Sequence, residues 1–594
     1  MLLKKTKLAG IISLVLCTTA VASTTAIVVD SSGEHDFGPY VSAMDTSGTA
    51  TSTATYTHKY AQQFTYDIGA PWTYAFYTSK KNDYCIYDSD ICEMIWGGSK
   101  SDRVDDSDGL FVWRRNILNT YNGYNGSYES ETTSAVNDTE VAPSNLKESR
   151  KITAISGVDQ VGYATDSSAK VVRRGFYNDI ELKPEFADKQ GFSSAHDATN
   201  VSVNSVTVPT NSFDKKLIVG QASVQWANAD DQDRFTYCFN YPIDDDRYDY
   251  DDLYNCPGFD LQASYWDETG NGLAYFSNNS KTTWLNTGGD ATFIANAYAI
   301  NTSGFAVGFS TQQIYSSTSG GRARATLFKP TVTGKDTVSY AMTEITKPKT
   351  DSGSDYDDIL RDTVAIDITD TVYVKATKTM GPATGTDELQ SFITVGNRTY
   401  NQPQNRSYVT DFYTYDIKTQ ETRYPFQANP IKGASSQVSK INNVGLAVGW
   451  RDARGETTPT ADGAPRFQSA FIYNYENEKS SYLDDLYCQQ QIADGNDITY
   501  RLSNAISISE PDSAGDVVVV ANGFDYKTEA NYMNKTGSNP AVFSMTIKAD
   551  ELANLSTTSY CPVKAEEDYE RNGAGMGWFV LLPTMLLLFR RFKR

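Results

Sequence analysis

The pattern Ile-Asn-x-x-Gly-x-Ala-Val-Gly is written twice in this chain, at Ile300–Gly308 and at Ile441–Gly449. A hairpin of that length cannot bury its own apolar face, so recurrence predicts modules that are stable only against one another. Looser copies widen the pattern. Residues Ile152–Ala164 keep Ile155, Ser156 and Val161-Gly162, and Lys216–Ser223 keep Val219-Gly220. Ser391–Arg398 keep Val395-Gly396, and Leu502–Gly523 keep Ala505-Ile506 and the closing glycine. An aromatic strand follows each copy after a polar loop: Arg174–Asn178, Arg234–Phe239, Ala325–Pro330, Asp411–Asp416, Ser469–Tyr475 and Ala541–Ile547.

Each unit has a physical reading. Asn before a Gly turn tolerates turn dihedrals and closes a hairpin. The small-Val-Gly strand packs where backbones approach closely, and the Phe/Tyr strand supplies the large apolar face. Long helical periodicity is scarce, and short β-branched or aromatic runs are bounded by Gly, Asn, Asp and Ser, which predicts an all-β fold. A ring absorbs unequal insertions more readily than a linear stack. The expected architecture is therefore a β-propeller of six or seven irregular blades, with a β-solenoid or tandem β-sandwich as alternatives. Residues 146–565 form the repeat-built propeller. Residues 58–145 form an N-terminal β region, in which Phe64–Tyr77 and Gly109–Arg115 supply the first or closing blade. Thr46–Thr57 is small and polar, so residues 23–57 read as a flexible leader.

Both ends carry targeting features. Lys4, Lys5 and Lys7 precede an apolar run and Ala20-Val21-Ala22, which predicts a signal peptide over residues 1–22, cleaved after Ala22. At the other end a glycine-containing hinge, residues 566–577 with Gly573, Gly575 and Gly577, precedes a hydrophobic segment with a basic stop, residues 578–594 with Arg590 and Arg591. This tail reads as a C-terminal membrane or sorting helix whose basic end stays cytoplasmic. It resembles the bacterial GlyGly-CTERM signal, with Gly-Ala-Gly-Met-Gly where the family has Gly-Gly. That resemblance implies an inner-membrane stage, a sorting protease, and release to the cell surface. The repeat cadence resembles HAF-type repeats of exported bacterial proteins. Taken with Asp105–Asn116 and Gln225–Pro242, the chain resembles the exported domain-of-unknown-function 3466 family of gammaproteobacteria. The resemblance implies no catalytic residues.

Six cysteines lie between the two ends. An even number in an exported chain predicts disulfides, and proximity pairs them as Cys85–Cys92, Cys238–Cys256 and Cys488–Cys561. The formal charge of −21 becomes −28 once the three lysines of the leader and the four basic residues of the tail are set aside. Such a surface repels phosphate backbones, so nucleic acid is not an expected partner. His35, His58 and His196 are the only histidines, none in a nucleophile or HExxH context, and they read as surface residues. The densest chemistry is the acidic loop carrying Asp244, Asp245, Asp246, Asp249, Asp251 and Asp252, pinned by the expected Cys238–Cys256 pair. A solvated acidic loop is the first reading, and calcium the second, since hard cations take carboxylate oxygens in loops of this kind. The expected function is an exported, surface-associated, non-enzymatic binding module for a glycan or protein. A carbohydrate-active hydrolase on the same scaffold and a structural envelope protein are the alternatives.

Overall fold

The computed structural model describes residues 25–30, 37–49, 51–56, 130–132, 146–157, 159–166, 173–185, 191, 193–205, 207–208, 210–226, 259–276, 295–313, 321–345, 360–383, 390–400, 410–426, 434–452 and 468–562. Among these, twenty-eight strands form seven antiparallel sheets. Strand β1 (Thr25–Asp30) leads, and the first sheet is β2 (Phe37–Met44), β3 (Thr51–Tyr56) and β4 (Ser130–Thr132). The second is β5 (Leu146–Ser156), β6 (Asp159–Asp166), β7 (Arg173–Tyr177) and β8 (Ile180–Leu182). The third is β9 (Ser193–Asn204), β10 (Ser212–Trp226), β11 (Phe259–Asp267) and β12 (Ala274–Tyr275). The fourth is β13 (Ala295–Ile300), β14 (Ala306–Gln313), β15 (Gly321–Gly334) and β16 (Thr337–Glu344).

The fifth sheet is β17 (Leu360–Val374), β18 (Thr379–Gly381), β19 (Gln390–Tyr400), β20 (Thr410–Asp416) and β21 (Glu421–Arg423). The sixth is β22 (Ser436–Ile441), β23 (Leu446–Asp452), β24 (Gln468–Asn474) and β25 (Lys479–Tyr482), followed by helix α1 (Leu483–Asp494). The last is β26 (Tyr500–Ile508), β27 (Val517–Asp525) and β28 (Asn539–Ile547), with short helices α2 (Glu529–Asn534) and α3 (Ala549–Ala553). Its fourth strand is β1, which pairs antiparallel with β28, Thr25 opposite Thr546. The two ends of the chain thus complete one sheet.

Seven apolar clusters show how the sheets are arranged. Six of them draw side chains from two sheets consecutive in the chain, such as Val161 and Tyr177 with Ile218 and Trp266, or Val219 and Ala263 with Phe328. The seventh cluster joins Val41 and Met44 of the first sheet to Val520 and Val542 of the last. The core is therefore divided among the gaps between sheets, and the series closes on itself. The fold is the expected all-β propeller: the second to seventh sheets are six blades of four or five strands, each numbered by its sheet, and the three-stranded first sheet, numbered one, is seated between blades seven and two.

The glycines of the repeat have a shared reason. In β13 the pairing with β14 skips Tyr298, so Ala297 faces Gly308 while Ala299 faces Val307. In β22 the pairing with β23 skips Ser439, and Val438 faces Gly449. Such a bulge pushes a first-strand carbonyl under the second strand. A Cβ on Gly308 would lie 1.9 Å from the Asn296 oxygen, and one on Gly449 1.9 Å from the Gln437 oxygen. The four weaker copies repeat the arrangement at Gly162, Gly220, Gly396 and Gly523, each opposite a bulged first strand. One backbone irregularity, used six times, accounts for the echo.

One expectation needs correction. Residues 23–57 are no flexible leader, because β1, β2 and β3 all lie within them. Small polar composition misled there: Thr51, Ser52 and Thr53 are buried in a sheet that packs closely on its neighbours. Strand β1 supplies the fourth strand of the last sheet, and Phe64–Tyr77 and Gly109–Arg115 lie outside the described residues. The strand that pairs with the Val219-Gly220 strand is β11, beyond Arg234–Phe239, which also lies outside them. No helix among the described residues is long and apolar enough to cross a membrane.

Candidate functional site

Each first strand touches the first strands of both neighbouring sheets, so β2, β5, β9, β13, β17, β22 and β26 ring the axis. The residue after each bulge occupies one layer of that ring. Around the circle these are Ala43, Ala154, Asp197, Ala299, Asp367, Lys440 and Asn504. Three of the seven are alanines packed into or against the apolar clusters, and the charged members concentrate chemistry between the third and sixth blades.

The carboxylates there are held by backbone. Asp197 Oδ2 accepts the Ile300 N–H at 3.1 Å, and Asp367 Oδ2 accepts the Ile441 N–H at 2.9 Å. Lys440 Nζ donates to Asp367 Oδ1 at 3.2 Å. Beyond them, Asp370 Oδ1 accepts the Thr302 N–H at 2.6 Å. Both Glu510 oxygens accept the Asn443 N–H, at 3.0 and 3.2 Å. The turn of each full repeat is thus gripped from both sides: blade four by blades three and five, blade six by blades five and seven.

The repeat asparagines complete the clasp. Asn301 Oδ1 accepts the Phe305 N–H of its own turn while its Nδ2 donates to Thr369 O in the next blade, at 2.9 and 3.0 Å. Asn442 does the same to Leu446 N and Ser509 O, at 3.0 and 2.8 Å. One amide side chain both closes a hairpin and joins two blades.

Burial shapes the electrostatics. It pushes the carboxyls of Asp197, Asp367 and Glu510 above the usual range, although Lys440 draws all three back. Burial would depress the Lys440 ammonium, but Asp367 and Asp197 outweigh it and hold the group above its ordinary value. The Lys440 side chain is 38% exposed whereas Asp367 is only 4% exposed, so the ammonium reaches toward solvent past a buried partner. His196, expected on the surface, sits instead between blades three and four. Its Nε2 lies 3.0 Å from Asn296 Nδ2 and 3.1 Å from Ser194 Oγ, with the Tyr298 ring edge-on.

None of these channel residues was singled out by motif reasoning. The only signal was the repeat itself, because Asp197 and Asp367 sit at the same offset past a bulge. Of the expected sites, Cys488 and Cys561 are bonded, tying α1 to the final segment. Asp244, Asp245, Asp246, Asp249, Asp251, Asp252, Cys85, Cys92, Cys238, Cys256, Ala22, Gly573, Gly575, Gly577, Arg590 and Arg591 lie outside the described residues. Among the described residues no group of three or more His, Cys, Asp or Glu is placed to hold a metal ion.

A family model described as "Protein of unknown function (DUF3466)" matches residues 38–592. No curated protein matches the chain. Among solved structures, an oligogalacturonate lyase in complex with manganese aligns with 71% of this chain and 84% of its own, at 10% identity and a TM-score of 0.25. At that score the alignment carries no argument about substrate or metal.

Proposed function

The chain belongs to the family described as proteins of unknown function (DUF3466), and from that premise we propose that it is an exported, surface-associated propeller that binds a glycan or protein without transforming it. The observation carrying this reading is the unequal length of the connections on the two faces. First-to-second and third-to-fourth strand connections are mostly short hydrogen-bonded turns, the β18 hairpin excepted. Second strands end, and third strands begin, at the opposite face, and the sequence separating those ends is long after β3 (Thr51–Tyr56 to Ser130–Thr132) and after β10 (Ser212–Trp226 to Phe259–Asp267). Variable connections on a rigid scaffold are where recognition is usually built. The channel carboxylates, by contrast, serve as acceptors for backbone N–H groups, a use that favours holding blades over moving protons.

On this reading Ala22 marks the mature N-terminus, and the tail with Gly573, Gly575 and Gly577 serves passage through the inner membrane. Intact mass of the protein recovered from cells tests both points. Glycan-array binding by the purified protein tests the rest. Replacing residues 227–258 by a short Gly-Ser linker is expected to abolish binding and leave the thermal transition in place. Polysaccharide turnover that disappears on changing a single carboxylate would replace the binding module with a hydrolase.

A further inference from the structure

We propose that the charged end of the channel is an acid-tightened clasp: Asp197, Asp367, Asp370 and Glu510 hold the turns of blades four and six, Lys440 balances them, and the ring grips harder as the medium acidifies. The geometry comes first. Four carboxylates from blades three, five and seven accept four backbone N–H groups, those of Ile300, Ile441, Thr302 and Asn443. All four N–H groups belong to the two complete repeats. Among the described residues, Lys440 is the cation placed with them.

The groups facing this cluster are few. Strand β9 contributes Asp197 and His196, the latter held by Ser194 and Asn296. Strand β17 contributes Asp367 and Asp370, which also binds Asn443 through its N–H and its Oδ2. Strand β22 contributes Lys440, and the turn after β26 contributes Glu510. Four carboxylates against one ammonium leave an excess of negative charge in a partly desolvated space, where like charges resist simultaneous ionisation.

A proton taken up by the cluster relieves that repulsion without opening the clasp. A neutral carboxyl still accepts an N–H through its carbonyl oxygen. The sign follows from burial. A carboxyl held above its unfolded value binds protons more tightly in the folded state, so stability rises as pH falls through that range and is lost as pH climbs. Lys440 carries its charge throughout, and at neutral pH and above it alone offsets the excess.

Thermal melting of the full-length protein tests the clasp, comparing wild type, Lys440→Met and the double variant Lys440→Met/Asp367→Asn at about pH 8 and about pH 5. Lys440→Met should lower the midpoint by about 5 °C or more at the higher pH, and by less than half as much at the lower, where a proton replaces the lost ammonium. The double variant should regain most of the loss at the higher pH. Comparing variant with wild type at each pH cancels the contribution of other buried acids. A loss of equal size at both pH values, or a double variant no better than the single one, overturns the proposal. Should Lys440→Met fail to fold at the higher pH, folding restored on acidification supports the clasp, and failure at both overturns it.

Discussion

At Gly449 the space for a side chain is taken by the Gln437 carbonyl, 1.9 Å from where a Cβ would lie. Gly449→Ala must flatten the bulge or part the strands, at a cost of roughly 2–3 kcal/mol. Gly308→Ala meets the Asn296 carbonyl at the same distance, so the two losses should match within measurement error in urea unfolding. A second residue-scale case is Asp484 in α1, whose oxygens accept the Leu502 N–H at 2.7 Å and the Ser469 hydroxyl at 3.0 Å. Burial pushes this carboxyl up to about 6, with Arg501 and the two hydrogen bonds pulling the other way. The folded value lies above the ordinary 3.8, so the ionised group weighs fully against the fold above pH 6 and less as pH falls toward 4. Asp484→Asn should remove that part of the pH slope in unfolding free energy. Asp484→Leu leaves both donors without an acceptor, and about 1–3 kcal/mol should be lost for each.

A blade is the smallest element at which the repeat makes sense, and its two strongest copies test this directly. Asn442→Ala removes the acceptor that closes its own turn and the donor to Ser509 O. A loss of about 2–4 kcal/mol is expected, larger than for a surface turn because one of the bonds spans two blades. Half of this was readable in the chain: Asn-x-x-Gly announces a closed turn, and Gly304 and Gly445 both adopt the left-handed φ of +78° that such a turn needs. The other half was not readable, because nothing within one repeat says which residue its amide will meet in the next blade. Asp197 and Asp367 were hidden for the same reason, as isolated acids in a chain rich in them. Only the bulge, which has no sequence signature of its own, sets them in one layer with Lys440. The leader was misread in a related way. Up to Tyr56 the β3 strand carries only Thr, Ser and Ala, yet a sheet wedged between two others needs small residues rather than large ones. The disulfide expectation was sounder because Cys488 and Cys561 remained once the near pairs were drawn. Reducing it frees a segment 73 residues away in sequence and should cost roughly 4 kcal/mol of stability.

For the molecule as a whole, dividing the core among seven gaps means that no blade can be removed without exposing two apolar faces. The last sheet is completed by β1, a six-residue strand whose main partner is β28. Without it β28 becomes an open edge, and β28 contains Val542, Phe543 and Met545, all buried, in a run suited to pairing with another chain. Inter-blade bonds would still hold blade one to blade seven, through Val41 N to Asn522 Oδ1 at 2.7 Å and Glu510 N to Thr46 O at 2.7 Å. Removing residues 23–30 should therefore leave a ring that forms but no longer resists association. The measurement is size-exclusion chromatography beside thermal melting. The truncated protein should elute as concentration-dependent oligomers with a lower, broader transition, and a synthetic peptide spanning residues 23–30 added in trans should shift it back toward monomer. A truncated chain that stays monomeric with an unchanged transition would mean that β1 decorates the last blade without closing the ring. The same logic gives Ala22 structural weight, since β1 begins only three residues after it. On the proposed export reading, cleavage there frees β1 to find β28.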